Sequence, residues 1–214
     1  EREKNVSAAE QWYKKILSRN EDSDIQKEAI LSLGHLYWSD GQLNQAQEYF
    51  QKLQNDSSPL AFKGNLYLAK VYSQNRNYKQ AFRIYDELMS GPSQVAKAAC
   101  LEKGLLARDL KDYDQAQKLL QQAIDQGMDS AKIRFNLAAV LEKMDKQDQA
   151  IEEYFKVVYN FNEQEYTVRA YFRLARIYES LHNKKAAQDM YRKVVALNVE
   201  ESKISQEKLQ ELEG

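Results

Sequence analysis

Six alanines recur along the chain, Ala9, Ala46, Ala81, Ala116, Ala150 and Ala187, separated by 37, 35, 35, 34 and 37 residues. Four residues after each stands a large apolar side chain: Tyr13, Phe50, Tyr85, Leu120, Tyr154 and Tyr191. A second small residue recurs at Gly34, Ala69, Gly104, Ala138 and Ala175, and four of these five follow a leucine, Leu33, Leu68, Leu137 and Leu174. A fixed period of this length means stacked copies of one supersecondary unit. The small residues let two helix backbones approach, and the large one fills the gap to the next copy. One such unit cannot bury its apolar face alone, so neighbours must stack.

The clearest copy is 168–195. There Tyr171, Leu174, Ala175 and Tyr178 fall at i, i+3, i+4 and i+7, a single helical stripe. Ala187, Tyr191 and Val194 form a second stripe after a tight turn around 182–184. A large then a small apolar residue, an aromatic, a turn, then Ala and an aromatic: this order resembles a tetratricopeptide repeat. The resemblance implies an all-α fold, a right-handed superhelical solenoid of antiparallel helix pairs. The period predicts a half repeat at 3–18, full repeats at 25–54, 60–90, 94–126, 130–160 and 166–197, and a capping helix at 200–213. In that last helix Ile204, Leu209 and Leu212 make a weak stripe.

Breaker residues mark the borders at 55–59 (NDSSP), at 90–93 (SGPS) and at Gln126–Gly127. The link at 159–165 (YNFNEQE) has neither Pro nor Gly and reads as a longer connection. Two sites depart from the pattern in the third repeat: Lys103 replaces Leu, and Leu120 replaces an aromatic. Either that hairpin is looser, or Lys103 lays its stem along apolar neighbours and keeps its ammonium outside. The aromatic that the family carries near the start of the first helix survives only as Tyr171, its counterparts being Ile30, Asn65, Cys100 and Arg134.

With only 7 Gly and 2 Pro in 214 residues, helices joined by short turns are favoured over strands and long loops. The 31 basic and 32 acidic residues leave a net charge of -1, which argues against a general nucleic-acid or membrane-surface role. No apolar run approaches the roughly 18 residues of a membrane-spanning helix. No secretory leader is legible, and a chain opening on Glu1 rather than Met leaves room for an upstream segment. Cys100 is the only cysteine, so an intrachain disulfide is ruled out and the compartment stays open.

No catalytic constellation is legible. His35 falls in a predicted helix and His182 in a turn, and stacking would hold His35 two repeats from Cys100. Cys100 itself, among Ala98, Ala99 and Leu101, reads as a small buried residue. Four Cys or His metal ligands are lacking, as is a Gly-rich phosphate loop. The acidic turn at 20–24 (NEDSD) lacks the Gly and distant Glu of a calcium loop and reads as a helix start. The N-x-S triplets at Asn5 and Asn55 read as accidental. No catalytic residue, metal or cofactor is expected, and the chain reads as a non-enzyme.

The resemblance also implies a binding groove lined by the first helix of each hairpin. Carried over by register, its positions are Leu31, His35 and Trp38; Leu66 and Lys70; Leu101, Leu105 and Arg108; Lys132, Phe135, Ala139 and Lys143; and Arg169, Phe172, Arg173 and Arg176. Leu101, Leu105, Phe135, Ala139 and Phe172 would form an apolar floor, with Arg169, Arg173 and Arg176 a cationic wall beside it. The family's carboxylate clamp for peptide C-termini is not reproduced, although Asn136 is present. An arginine stripe can equally be a solvated face paired with Glu153, Glu165 or Glu179, and the apolar floor can equally be core.

Two functions compete. The first is a non-enzymatic interaction scaffold that holds a protein or peptide segment with apolar anchors and acidic flanks. The second is self-association, or docking to further repeats, through the edge formed by Trp12, Tyr13 and Ile16. Residues 170–195 are similar to repeat proteins of the bacterial envelope, which favours a periplasmic or envelope-associated location, with the cytoplasm as the alternative.

Overall fold

A computed structural model describes residues 2–18, 24–54 and 56–213, apart from the side chains of 2–7 and 213. The acidic turn at 20–23 and Asn55 lie outside the described residues. Within them the chain is all α, with helices α1 (Arg2–Leu17), α2 (Asp24–Ser39), α3 (Leu43–Gln51), α4 (Pro59–Gln74), α5 (Tyr78–Met89), α6 (Ser93–Asp109), α7 (Tyr113–Asp125), α8 (Ala131–Lys143), α9 (Gln147–Asn160), α10 (Gln164–Ser180), α11 (Lys184–Ala196) and α12 (Ser202–Glu213). Two compact units divide the chain, Glu1–Lys103 and Gly104–Gly214, and α6 belongs partly to each. In unit 1, α1 packs on α2, and the hairpins α2–α3 and α4–α5 meet through α3 and α4. In unit 2, α7 packs on α8, the hairpins α8–α9 and α10–α11 meet through α9 and α10, and α12 covers α11.

The periodic residues sit where the helices touch. Ala46, Ala81, Ala116, Ala150 and Ala187 are fully buried, as are Phe50, Leu120, Tyr154 and Tyr191, with Tyr85 nearly so. A Cβ added at Gly34 would run into the ring of Phe50, so the glycine is what lets α3 approach α2. In the divergent third repeat Leu120 is as buried as the aromatics it replaces. Lys103 follows half of its expected behaviour. Its side chain is only 13% exposed, and its ammonium lies 5.7 Å from the Phe82 ring centroid. Its ammonium, however, is held by Asp86 of α5 rather than left in water.

Every described hairpin turn has one shape. Gly41, Arg76, Lys111, Asp145 and His182 all take positive φ, between 56° and 76°. At each turn that residue's N–H returns to a carbonyl three back, and the next N–H to one five back, as in Gln42 to Tyr37 (2.8 Å) and Asn77 to Tyr72 (2.8 Å). This is the double bond of a Schellman cap, which satisfies the last carbonyls of the first helix. Asp112 and Asn183 then cap the second helices through Gln115 N (3.2 Å) and Ala186 N (3.2 Å).

Two expectations are corrected. The link at 159–165 is not a long connection. With no Pro or Gly to stop it, α9 runs on to Asn160 and α10 begins at Gln164, so only Phe161–Glu163 remain between them. In α12, Ile204 faces solvent, while Ser202 and Ser205 are buried. Ser202 donates to the Val194 carbonyl of α11 (3.1 Å) and so ties the two helices, while Ser205 donates to the Glu201 carbonyl at the start of its own helix (3.0 Å).

Candidate functional site

Of the register positions that the resemblance assigns to a groove, Leu31 and His35 border a cleft in unit 1, and Phe135, Arg169, Phe172 and Arg173 border one in unit 2. In unit 1 a cleft of about 460 Å³ is bordered by Glu28, Leu31, Ser32 and His35 of α2, Leu60, Lys63 and Tyr67 of α4, and Tyr13 of α1. His35, Trp38 and Tyr67 form a ring cluster with centroids 5.3–5.6 Å apart, and Tyr67 stacks on buried Phe50 at 5.5 Å. Trp38, on the groove register, is half-buried and donates its indole N–H to Gln74 (2.7 Å). Lys70 is tied to Glu102 at 2.7 Å. Tyr67 was not among the expected groove residues, yet it holds the same register position as Arg173.

In unit 2 a smaller cleft of about 150 Å³ lies between Phe135 of α8 and Val168, Arg169, Phe172 and Arg173 of α10, with Glu201 at its rim. Its floor is rigid. Phe135 is 5% exposed and meets Tyr154 edge-on at 5.4 Å, and Phe172 meets Tyr191 edge-on at 5.7 Å. Phe135 is therefore core that shows only a small surface to the cleft. The guanidinium of Arg169 lies 4.5 Å from the Phe135 centroid and 5.4 Å from that of Tyr166. The ring faces attract the guanidinium and hold it against the cleft.

Of the three stripe arginines, two are engaged. Arg169 donates to Glu165 (3.1 Å) and Arg173 to Glu142 (3.2 Å). Arg176 is exposed and has no ion-pair partner among the described residues. Lys132, at the register position of Arg169, is likewise exposed. Neither Glu153 nor Glu179 pairs with the stripe. Glu153 is buried with Arg134 (2.9 Å), which also grips Asp129 and so fills a site where the family has an aromatic. Glu179 accepts from the Tyr191 hydroxyl (3.2 Å). Asn136 is buried and bonded to Arg108 and to the Lys132 carbonyl, so it offers no free amide.

The remaining expected residues are dispersed. Leu101 and Leu105 are half-buried on α6, one in each unit, and line neither cleft. Ala139 is half-buried on α8. Trp12 is 66% exposed, Ile16 is half-buried, and Tyr13 turns into the unit 1 cleft. Cys100 is buried, and burial pushes its thiol pKa up, which suppresses thiolate chemistry. His182 lies in an exposed turn. Among the described residues no cluster of three His, Cys, Asp or Glu could hold a metal, and no helix is long and apolar enough to cross a membrane.

Models of the tetratricopeptide repeat match residues 107–167 in one form and residues 28–55 and 168–198 in another, together more than half of the chain. The chain belongs to the tetratricopeptide repeat family. Solved repeat proteins share its fold. MamA matches at 20% identity and a TM-score of 0.66 over 80% of this chain and 97% of that one. A tetratricopeptide repeat protein from Parabacteroides merdae ATCC 43184 matches at 17% and 0.61, over 100% of this chain and 80% of that one. A Podosopora anserina protein of nearly identical TPR-like repeats, assigned to the kinesin light chains, matches at 17% and 0.68, over 83% and 97%. No curated protein sequence matches the chain. Tetratricopeptide arrays are protein-interaction scaffolds and are typically non-enzymatic, and this chain is one of that class.

Proposed function

We propose that the α8–α10 face of unit 2 binds an acidic segment of a protein partner, with one aromatic or large aliphatic side chain as its anchor. The observation that carries this reading is the cleft itself: an apolar floor of packed Phe135 and Phe172, flanked by Arg169 and Arg173, with Glu201 as the one acidic group at its rim. A cavity of roughly 150 Å³ accommodates a benzene-sized group. Guanidinium groups beside it supply the planar donors that carboxylates accept best. Arg176 and Lys132 extend the cationic strip along the same face. The aromatic cluster of His35, Trp38 and Tyr67 offers a separate apolar contact in unit 1.

Fluorescence anisotropy with a labelled acidic peptide carrying a single Phe tests the reading. Exchanging Arg173 and Arg176 for Glu weakens binding by roughly 1–3 kcal/mol, the scale of lost charge-assisted hydrogen bonds. Equal affinity of wild type and double variant contradicts it, as does failure of the wild type to bind.

Self-association through α1 is the competing reading, supported by Trp12 at 66% exposure. Light scattering decides it: a concentration-dependent dimer that Trp12→Glu dissolves supports a second copy on this edge, and a strict monomer rejects it.

A further inference from the structure

The arginine that faces the unit 2 cleft is already held from behind. Glu142 of α8 accepts from Arg173 through Oε1 at 3.2 Å and from the Tyr154 hydroxyl through Oε2 at 3.0 Å. Tyr154 is fully buried, so the carboxylate is fixed to the core rather than waving in solvent. Its own side chain is 23% exposed, and that of Arg173 is 36% exposed. The carboxylate and the cleft thus draw on the same guanidinium.

The tyrosine half of this arrangement recurs in the next repeat: thirty-seven residues on, Glu179 accepts from the hydroxyl of buried Tyr191 at 3.2 Å. The equivalent position elsewhere is Trp38, Ser73 or Arg108. Where the second-helix residue has no hydroxyl, at Phe50 and Leu120, no carboxylate stands opposite.

We propose that Glu142 is an internal competitor for Arg173 that sets the affinity and charge selectivity of the cleft. The inference rests on the acidic-segment reading above. A neutral or weakly polar segment leaves the Glu142–Arg173 pair intact and gains nothing from the guanidinium. A ligand carboxylate draws Arg173 forward only by offering a two-oxygen acceptor in exchange for the single Glu142 bond at 3.2 Å. Glu142 therefore subtracts a constant amount from the binding of every acidic ligand and raises the threshold that a weak one must pass.

Glu142→Gln is the decisive variant. It keeps an acceptor for Tyr154 and nearly the same volume while removing the charge. The probe is the labelled acidic peptide with one Phe, alongside its neutral counterpart with Gln for each acid. Glu142→Gln binds the acidic probe roughly three- to fivefold tighter, the worth of an ion pair at this exposure. Its affinity also falls more steeply with salt, and the neutral probe is unaffected. Arg173→Gln serves as the second arm. If it weakens the acidic probe while Glu142→Gln binds equally or less tightly, the competitor is refuted and the cleft stands. If Arg173→Gln changes nothing, the acidic-segment reading fails and takes the competitor with it.

Discussion

At Arg76, Lys111 and His182 an L side chain occupies a left-handed backbone position that costs glycine far less. The Schellman bonds hold these residues there, because releasing the turn would orphan the carbonyls of the first helix. Lys111→Gly or Arg76→Gly should stabilise the protein by about 0.5–1 kcal/mol in urea unfolding, relief of the left-handed strain outweighing the entropy of glycine. Gly41→Ala should cost a comparable amount. The opposite constraint governs Gly34, where any Cβ meets the buried ring of Phe50. Gly34→Ala should lose about 1–3 kcal/mol, as should Ala81→Leu or Ala150→Leu, both overpacking a closed contact. The small residues were legible from spacing alone because sterics admits little else at those sites. The turns were legible only as breaks. Four of the five carry no glycine, so their shared conformation leaves no compositional mark.

Between paired helices, a buried phenol is matched to a polar partner on the first helix. Glu142 serves Tyr154 and Glu179 serves Tyr191, while Ser73 stands beside Tyr85. Burial first, and the neighbouring carboxylates second, push all three phenols well above the ordinary tyrosine range. The folded protein keeps these protons at a pH where the unfolded chain sheds them. Their contribution is therefore intact below about pH 10 and is lost as pH rises beyond it, by about 1.4 kcal/mol per pH unit for each group. Tyr154→Phe should lose about 1 kcal/mol at neutral pH. It should also unfold less steeply between pH 10 and 12, which denaturation midpoints across that range would record. The pairs were visible in sequence as a repeated twelve-residue interval, Glu142 to Tyr154 and Glu179 to Tyr191. Reading for core and groove separately passed over them, because Glu142 serves both. The extension of α9 and α10 is hidden for another reason: the wider spacing from Ala150 to Ala187 reads as extra loop, although with neither Pro nor Gly nothing in that stretch stops a helix.

For the molecule as a whole, near-neutral net charge hides a local asymmetry. The first-helix face of unit 2 gathers Lys132, Arg169, Arg173 and Arg176, whereas the matching positions in unit 1 hold Glu28, Lys63, Tyr67 and Lys70, the last tied to Glu102. One repeat framework thus carries an aromatic cleft in one unit and a cationic one in the other. The cationic strip was legible because its arginines recur at helical spacing. Phe135 was harder to place, since a residue on the groove register is also within reach of Tyr154 and Tyr166 and packs as core. The central claim is that a partner segment lies on α8 and α10. Chemical-shift mapping with the acidic, Phe-bearing peptide tests it most directly. Perturbations should cluster on residues 132–143 and 165–176 and fade with added salt. Shifts confined to α9 and α11, or to α1, would contradict the account.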